Sequence, residues 1–559
     1  MRALLNSTEA KTGIVVIIGL CLLTFVLNYP AFFGYWRWDD PSILFHIHRY
    51  SFWQDFLTPE VWQEFSPSNL TPWLSLSFEV DLILFGLNSG LFYLHQLLAL
   101  AAVAFALYCT LRLWVLQRLA LLGACLFLSG APVVVVAQQL MTRHYIEGAA
   151  FCLLALALFV QYLRQAKLTF LLLSAVCYLI AVTAKETYVP LVVMLVFLPE
   201  KSLTDRIKAA TPHITIAACY TLWRGYMLGS LSGGYTESAS IFSIVNFSDV
   251  ASTFLRLPAL LFGSLWPLAT AFYLALVAGY IYFSRGRMSL VFLTVLLILI
   301  PMVPLVSFPG INIADRYLFL PWLGFCFSLA FFSDRVLLSM PTKLANSTVM
   351  LIYPLLAVIF TVSLFSAIRL QSTVRALGEE FDAHGEFIWQ SNQGQAFFPT
   401  DILLASYWYV SDLIAFRESL TGESNSPAPI IDPVLSASSA TGIWRYQDSC
   451  TCLQNTGDSL TVLRQTRLAN VDNTAALSLS FEYSSGYFDW KFGPYANGQY
   501  HVVSDQLGLL PVPRSGRLRV DIAPQTEFYL RYTSAEGWVT YSESQRIEPD
   551  GQRVIWERN

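Results

Sequence analysis

Apolar stretches of bilayer-crossing length recur from residue 13 to residue 368 and then stop. A helix needs roughly 20 apolar residues to cross about 30 Å of hydrocarbon. Such runs are read near 13–33, 91–111, 119–139, 146–163, 168–184, 188–199, 209–229, 265–283, 289–306, 317–332 and 348–368. The reading is a polytopic α-helical membrane protein of about 11 transmembrane helices. The segment 188–199 is short, and 254–264 reads equally as interfacial or re-entrant. A chain that is 55% hydrophobic and 13% charged, with a mean hydropathy of +0.52, could not stay soluble alone.

Basic residues set the expected orientation, because positively charged loops stay in the cytoplasm. With the N-terminus inside, Arg2, Lys11, Arg112, Arg118, Arg164, Lys167, Lys201, Arg206, Lys208, Arg285, Arg287, Arg335 and Lys343 are cytoplasmic. Fewer basic residues, among them Arg37, Arg143, Lys185 and Arg316, fall on the opposite side. The first span reads as a retained anchor, since no small-residue cleavage site follows its basic start.

The composition changes near residue 370: the membrane part carries a net charge of +5 and the remainder −9. The expected division is a catalytic membrane domain, 1–369, with a large first outer loop at 34–90, then a helical connector, 370–420, and an extracytoplasmic β-rich domain, 421–559. Helical periodicity marks Phe381–Phe387 and Ile402–Tyr409. Alternating segments at 478–485, 517–522 and 527–532, spaced by Gly, Pro and Asn, predict an α+β or β-sandwich tail. Its role reads equally as saccharide recognition or as a structural cap. Of nine cysteines, Cys450 and Cys452 lie in this tail, where a disulfide is chemically allowed. Neither a zinc-like Cys/His spacing nor a Gly-rich phosphate loop is present, and nothing points to nucleic acid.

Charged groups at a bilayer edge are costly unless they act. Directly after the first apolar run the chain reads Tyr35-Trp36-Arg37-Trp38-Asp39-Asp40-Pro41. Further along come Leu70-Thr-Pro-Trp-Leu-Ser-Leu-Ser77, Leu84-Phe-Gly-Leu-Asn88, Phe92-Tyr-Leu-His-Gln96, Thr142-Arg-His-Tyr-Ile-Glu147, Ala184-Lys-Glu-Thr187 and Ala314-Asp-Arg-Tyr-Leu-Phe-Leu-Pro-Trp-Leu-Gly324. In this order the motifs resemble the GT-C glycosyltransferases, particularly the protein O-mannosyltransferase-like branch that includes transmembrane proteins with tetratricopeptide tails. The resemblance covers roughly residues 10–370. The tail departs from that branch in having no 34-residue helical repeat, and Thr71-Pro72 stands where an Arg-Pro is common.

The resemblance implies a polyprenyl-phosphate sugar donor and inverting transfer to an acceptor outside the cytoplasm, either a surface polysaccharide such as O-antigen or a protein such as pilin. In a bacterium that places the chain in the inner membrane, with its C-terminal domain periplasmic. The chemistry asks for a carboxylate to take the acceptor's proton and for cations to stabilise the leaving phosphate. Asp39 is the first choice for base by its match to the family's paired acids. Asp40 would orient the acceptor or hold a metal, and the two assignments are exchangeable. Arg143, Arg316 and Lys185 are candidates for the donor phosphate, although interfacial arginines also snorkel to headgroups. Glu147 reads as a partner of Arg143 or His144 at helical spacing, and Glu186 as a partner of Lys185. His95 and Tyr317 are supporting candidates. His46 and His48, alternating in an extended or bent segment, admit a divalent metal that the sequence does not require. Tyr50–Phe56 with Trp62 and Phe65 reads as an interfacial amphipathic helix. A transporter or flippase of lipid-linked sugars, or a lipid-linked oligosaccharide ligase or polymerase, are the rival functions.

Overall fold

A computed structural model describes residues 7–558 apart from 68, 230, 232–246, 285–287, 300, 302–314, 392–394, 400–403, 425, 437–439, 441, 458–459, 485–486, 506–507, 520–525 and 549–552. Ala314 of the last motif, the end of the run 289–306, Ile402 and the strand residues 520–522 therefore lie outside the described residues. The contacts divide the chain into two compact units. One comprises residues up to Gly34, then Ser51–Gly233 and Ala239–Arg375, and the other Tyr35–Tyr50 with Ala376–Asn559. Residues 35–50 thus leave the stretch expected as one outer loop, 34–90, and join the C-terminal unit.

The first unit is helical, and the chain is an integral membrane protein. Among the described residues six helices are long and apolar enough to span a bilayer: Gly13–Phe33, Ser89–Leu111, Leu140–Gln165, Trp266–Phe283, Arg316–Ser339 and Ser347–Gln390. A seventh span results if Gln117–Leu128 and Ala131–Ala137, bent by 60°, count as one. Gly130 occupies the bend because a Cβ there would collide with the Trp322 indole, whose Nε1 donates to the Phe127 carbonyl at 2.9 Å. Leu168–Ala184, Glu186–Phe197 and Leu290–Leu299 are apolar but shorter, and Glu186–Phe197 is a 3-10 helix, so the count of about 11 is not reproduced on length alone. The helix Phe319–Ser339 is apolar on every side and nearly all of it is buried, the pattern of a helix inside a bundle.

The interfacial stretch after residue 50 forms two short helices, Phe52–Leu57 and Pro59–Phe65. Ser51 and Gln54 make a reciprocal capping box at the first, and Pro59 opens the second without losing a needed donor.

In the second unit, β1 (Gln395–Phe397) pairs in parallel with β2 (Ala428–Pro429) and β3 (Gly442–Gln447), which pairs antiparallel with β4 (Cys452–Asn455). Cys450 and Cys452 are joined by a disulfide beside that hairpin. Nine further strands build the sandwich. These are β5 (Leu477–Ser484), β6 (Tyr487–Gly493), β7 (Gln499–Ser504), β8 (Gly508–Val512), β9 (Ser515–Arg519), β10 (Glu527–Thr533), β11 (Val539–Tyr541), β12 (Gln545–Arg546) and β13 (Val554–Arg558). One antiparallel sheet runs β13-β5-β6-β9; the other runs β11-β10-β7-β8, with β12 on β10. Alternation sends Leu477, Leu479 and Phe481 of one sheet and Phe528, Leu530 and Tyr532 of the other into a single core.

Candidate functional site

The Asp39-Asp40 pair opens the helix Asp40–Arg49. Pro41 belongs in the first turn, where its missing N–H costs nothing. Asp39 is the N-cap residue and is exposed, whereas Asp40 is fully buried and its Oδ2 accepts from the Arg37 backbone N–H at 2.9 Å. The two acids therefore diverge. Trp38, just before them, has φ +53, a left-handed conformation costing a bulky residue about 1–2 kcal/mol. Its ring packs on Phe381 at 5.2 Å. Strained backbone of this kind clusters at functional sites.

The turn is anchored to the helix Thr342–Gln390. Asp382 accepts from the Tyr35 backbone N–H at 3.0 Å and pairs with the Arg37 guanidinium at 3.4 Å. Gly378 and Gly385, two helical turns apart, make room: a Cβ at the first would meet the Arg37 guanidinium, and at the second the Tyr35 ring.

His46 and His48 correct the sequence reading. They lie on a helix rather than an extended segment, so two residues of separation points them about 200° apart. His46 packs on Tyr50 and His48 on Phe416. Among the described residues no three His, Cys, Asp or Glu side chains converge as a metal-ligand group.

In the helical unit, the expected phosphate ligands separate into two environments. Arg143 is fully buried, with its Nη1 on Asp81 at 2.5 Å and its Nη2 donating to the Phe92 carbonyl at 2.9 Å. The guanidinium also lies over the Phe78 ring at 4.8 Å. Asp81 meets His95 Nδ1 at 2.8 Å, and His95 Nε2 faces Glu147 at 3.4 Å. Glu147 accepts from Trp73 Nε1 at 2.6 Å and from the Ser77 hydroxyl at 2.8 Å. Glu147 thus bonds Trp73, Ser77 and His95 instead of the Arg143 or His144 partner expected from helical spacing. The arginine one turn away is already held by an acid on another helix.

Lys185 and Arg316 lie elsewhere in the same unit. Lys185 follows the helix Leu168–Ala184, and its ammonium sits over the Tyr145 ring at 5.4 Å. It makes no ion pair with any described residue. The Glu186 partner expected for it is engaged elsewhere: its Oε1 accepts from Arg224 Nε at 2.9 Å and from the Leu70 backbone N–H at 2.8 Å. Tyr145 packs on Tyr317 at 6.3 Å, and the Arg316 guanidinium lies over Tyr317 at 5.2 Å. Lys185 and Arg316 therefore share one aromatic cluster and lie within electrostatic range of each other.

Sequence reasoning missed His144, although it stands inside a quoted motif. Its buried ring packs on Tyr145 at 4.6 Å, beside the Met141 backbone and within electrostatic range of both cations. Asp81, Trp73 and Ser77 were also missed. An acid in the apolar run Asp81-Leu-Ile-Leu-Phe85 was the available signal. Tyr188, whose hydroxyl donates to the Tyr145 carbonyl at 2.7 Å, lines an apolar cleft of about 60 Å³ with Cys152, Leu156, Leu195 and Leu320.

No family model and no curated protein matches the chain. Among solved structures it is similar to ArnT from Cupriavidus metallidurans bound to undecaprenyl phosphate, with 13% identity, 78% of this chain and 93% of that chain covered, and a TM-score of 0.42. It is also similar to the archaeal oligosaccharyltransferase AglB from Archaeoglobus fulgidus in complex with an inhibitory peptide and a dolichol-phosphate, with 10% identity, 98% and 94% covered, and a TM-score of 0.46. Both are GT-C membrane glycosyltransferases. Likeness at this level decides nothing about activity or substrate.

Proposed function

We propose that the chain is a GT-C-type membrane glycosyltransferase that passes a sugar from a polyprenyl-phosphate donor to an extracytoplasmic polysaccharide or protein, with inversion. The observation that carries this reading is Lys185, a half-buried cation without an ion pair among the described residues, clustered with Arg316 and the buried His144. Two clustered cations attract an anion, and a donor phosphate supplies one. The cleft beside Tyr188 supplies an apolar lining of the kind an isoprenoid chain packs against. Arg143, already bound to Asp81, serves the scaffold of this site rather than the phosphate.

Asp39 acts as general base and Asp40 holds its turn, because Asp39 is exposed while Asp40 is spent on the Arg37 backbone. The acceptor oxygen bonds the anomeric carbon as its proton passes to Asp39. The bond from that carbon to the phosphate oxygen breaks, leaving its electron pair on the phosphate. Basic-loop bias supports an N-terminus in the cytoplasm and a C-terminal domain outside it, at the bacterial inner membrane. The acceptor leans to glycan, given a sandwich at the C-terminus.

The test is sugar transfer from a synthetic polyprenyl-phosphate donor by the full chain in liposomes. Asp39→Asn is expected to lose roughly 10²–10⁴-fold in rate, the usual contribution of a general base, with donor binding retained. Normal transfer by Asp39→Asn overturns the base assignment. Donor flipping without transfer by the unaltered chain overturns the transferase reading in favour of a flippase.

A further inference from the structure

Asp39 occupies the N-terminus of a helix, where exposed backbone N–H groups favour a carboxylate and so make it a weaker base. Something must restore its affinity for a proton if it is to take one from a hydroxyl. The helix Leu404–Thr421 packs against the helix Asp40–Arg49 within the second unit. Tyr409, Asp412 and Phe416 share one face of it, spaced by three and four residues. Tyr409 donates to the Phe381 carbonyl at 3.0 Å, and Phe416 packs on His48 and Trp389. Asp412 lies between these two fixed points, beside Ser42 and within electrostatic range of Asp39.

We propose that Asp412 is a positioning residue that tunes Asp39: when ionised, its carboxylate raises the proton affinity of Asp39 and so strengthens it as the base for sugar transfer. The inference rests on the reading of Asp39 as base. It uses no new co-reactant, since the acceptor's proton still ends on Asp39 and the electron pair on the phosphate. Burial, then the Asp39 charge, pushes the Asp412 carboxyl up to about 7, with the Ser42 hydroxyl opposing them. Among the described residues Asp39 is the charge that bears on it; β8 (Gly508–Val512), which also touches this helix, brings no ionisable side chain. Arg417, one turn on, is directed to Ser391 and Ser426.

The experiment is the transfer rate of the full chain between pH 5.5 and 8.5, with donor and acceptor saturating. The unaltered protein is expected to rise roughly three- to tenfold through pH 7, the response of a base strengthened by one neighbouring charge. Asp412→Asn, fixed neutral, is expected to stay on the lower plateau with no inflection near 7, and Asp412→Glu to keep an inflection. If Asp412→Asn retains the rise, or the unaltered chain and Asp412→Glu are both flat, the inference is overturned. The His48→Gln profile separates the imidazole that packs on Phe416: loss of the inflection there, with Asp412→Asn unchanged, also overturns it. Full transfer by Asp39→Asn would instead sink the base reading beneath it, which makes the two failures distinguishable.

Discussion

Two cations of the helical unit meet opposite fates. Arg143 is buried against Asp81, the Phe92 carbonyl and two aromatic rings, and a chain of bonds runs on through His95 to Glu147, Trp73 and Ser77. Lys185 has an aromatic face, another cation in range and a Glu186 that is paired with Arg224, and it makes no ion pair among the described residues. A buried charge with its partner supplied is architecture. The half-buried one is where the donor phosphate is proposed to bind.

The contrast breaks most visibly at Asp81. Asp81→Ala strands the Arg143 guanidinium and is expected to cost about 3–5 kcal/mol, as for other buried pairs stripped of one member, read as a fall in thermal or denaturant stability in detergent. If stability is unchanged, Arg143 is not the structural cation. Lys185→Gln is expected to do the reverse. Its stability holds or rises, while affinity for geranylgeranyl phosphate, measured against geranylgeraniol, drops roughly tenfold, about 1.4 kcal/mol. Equal loss for phosphate and alcohol would remove Lys185 from the phosphate site. Trp73→Phe deletes one donor to Glu147 and is expected to cost about 1.5–3 kcal/mol of stability, the range for a bond to a charged group, with phosphate affinity unaltered. A larger effect on affinity than on stability would merge the two clusters into one site.

The first of these roles was not legible in the sequence, and the reason is physical. Arg143 and Lys185 look alike as cations beside apolar runs, because the acid that neutralises one of them comes from another helix, 62 residues earlier. Apolar length and alternation, by contrast, are local signals, and they carried the membrane class and the sandwich. The turn at Asp39 fell between. Pro41 beside Asp40 is a helix-start signature, yet the alternating His46 and His48 invited an extended reading where the chain is helical. Asp412 carried no local mark at all: its meaning comes from the helix packed across from it. The Glu186 assignment failed for the same reason as Glu147, since sequence neighbours are convenient partners only when no better-placed one arrives from another element.

Trp38 sits in a backbone conformation that glycine would adopt almost freely. The chain has put its largest side chain there, so the bend before Asp39 is held by ring packing on Phe381, together with the Asp40 and Asp382 bonds to the Arg37 and Tyr35 backbone, and not by backbone preference. The turn behaves as a latch with a side-chain bolt: withdraw the indole, and the peptide is free to relax to an ordinary φ, carrying the carboxylate away from its aim.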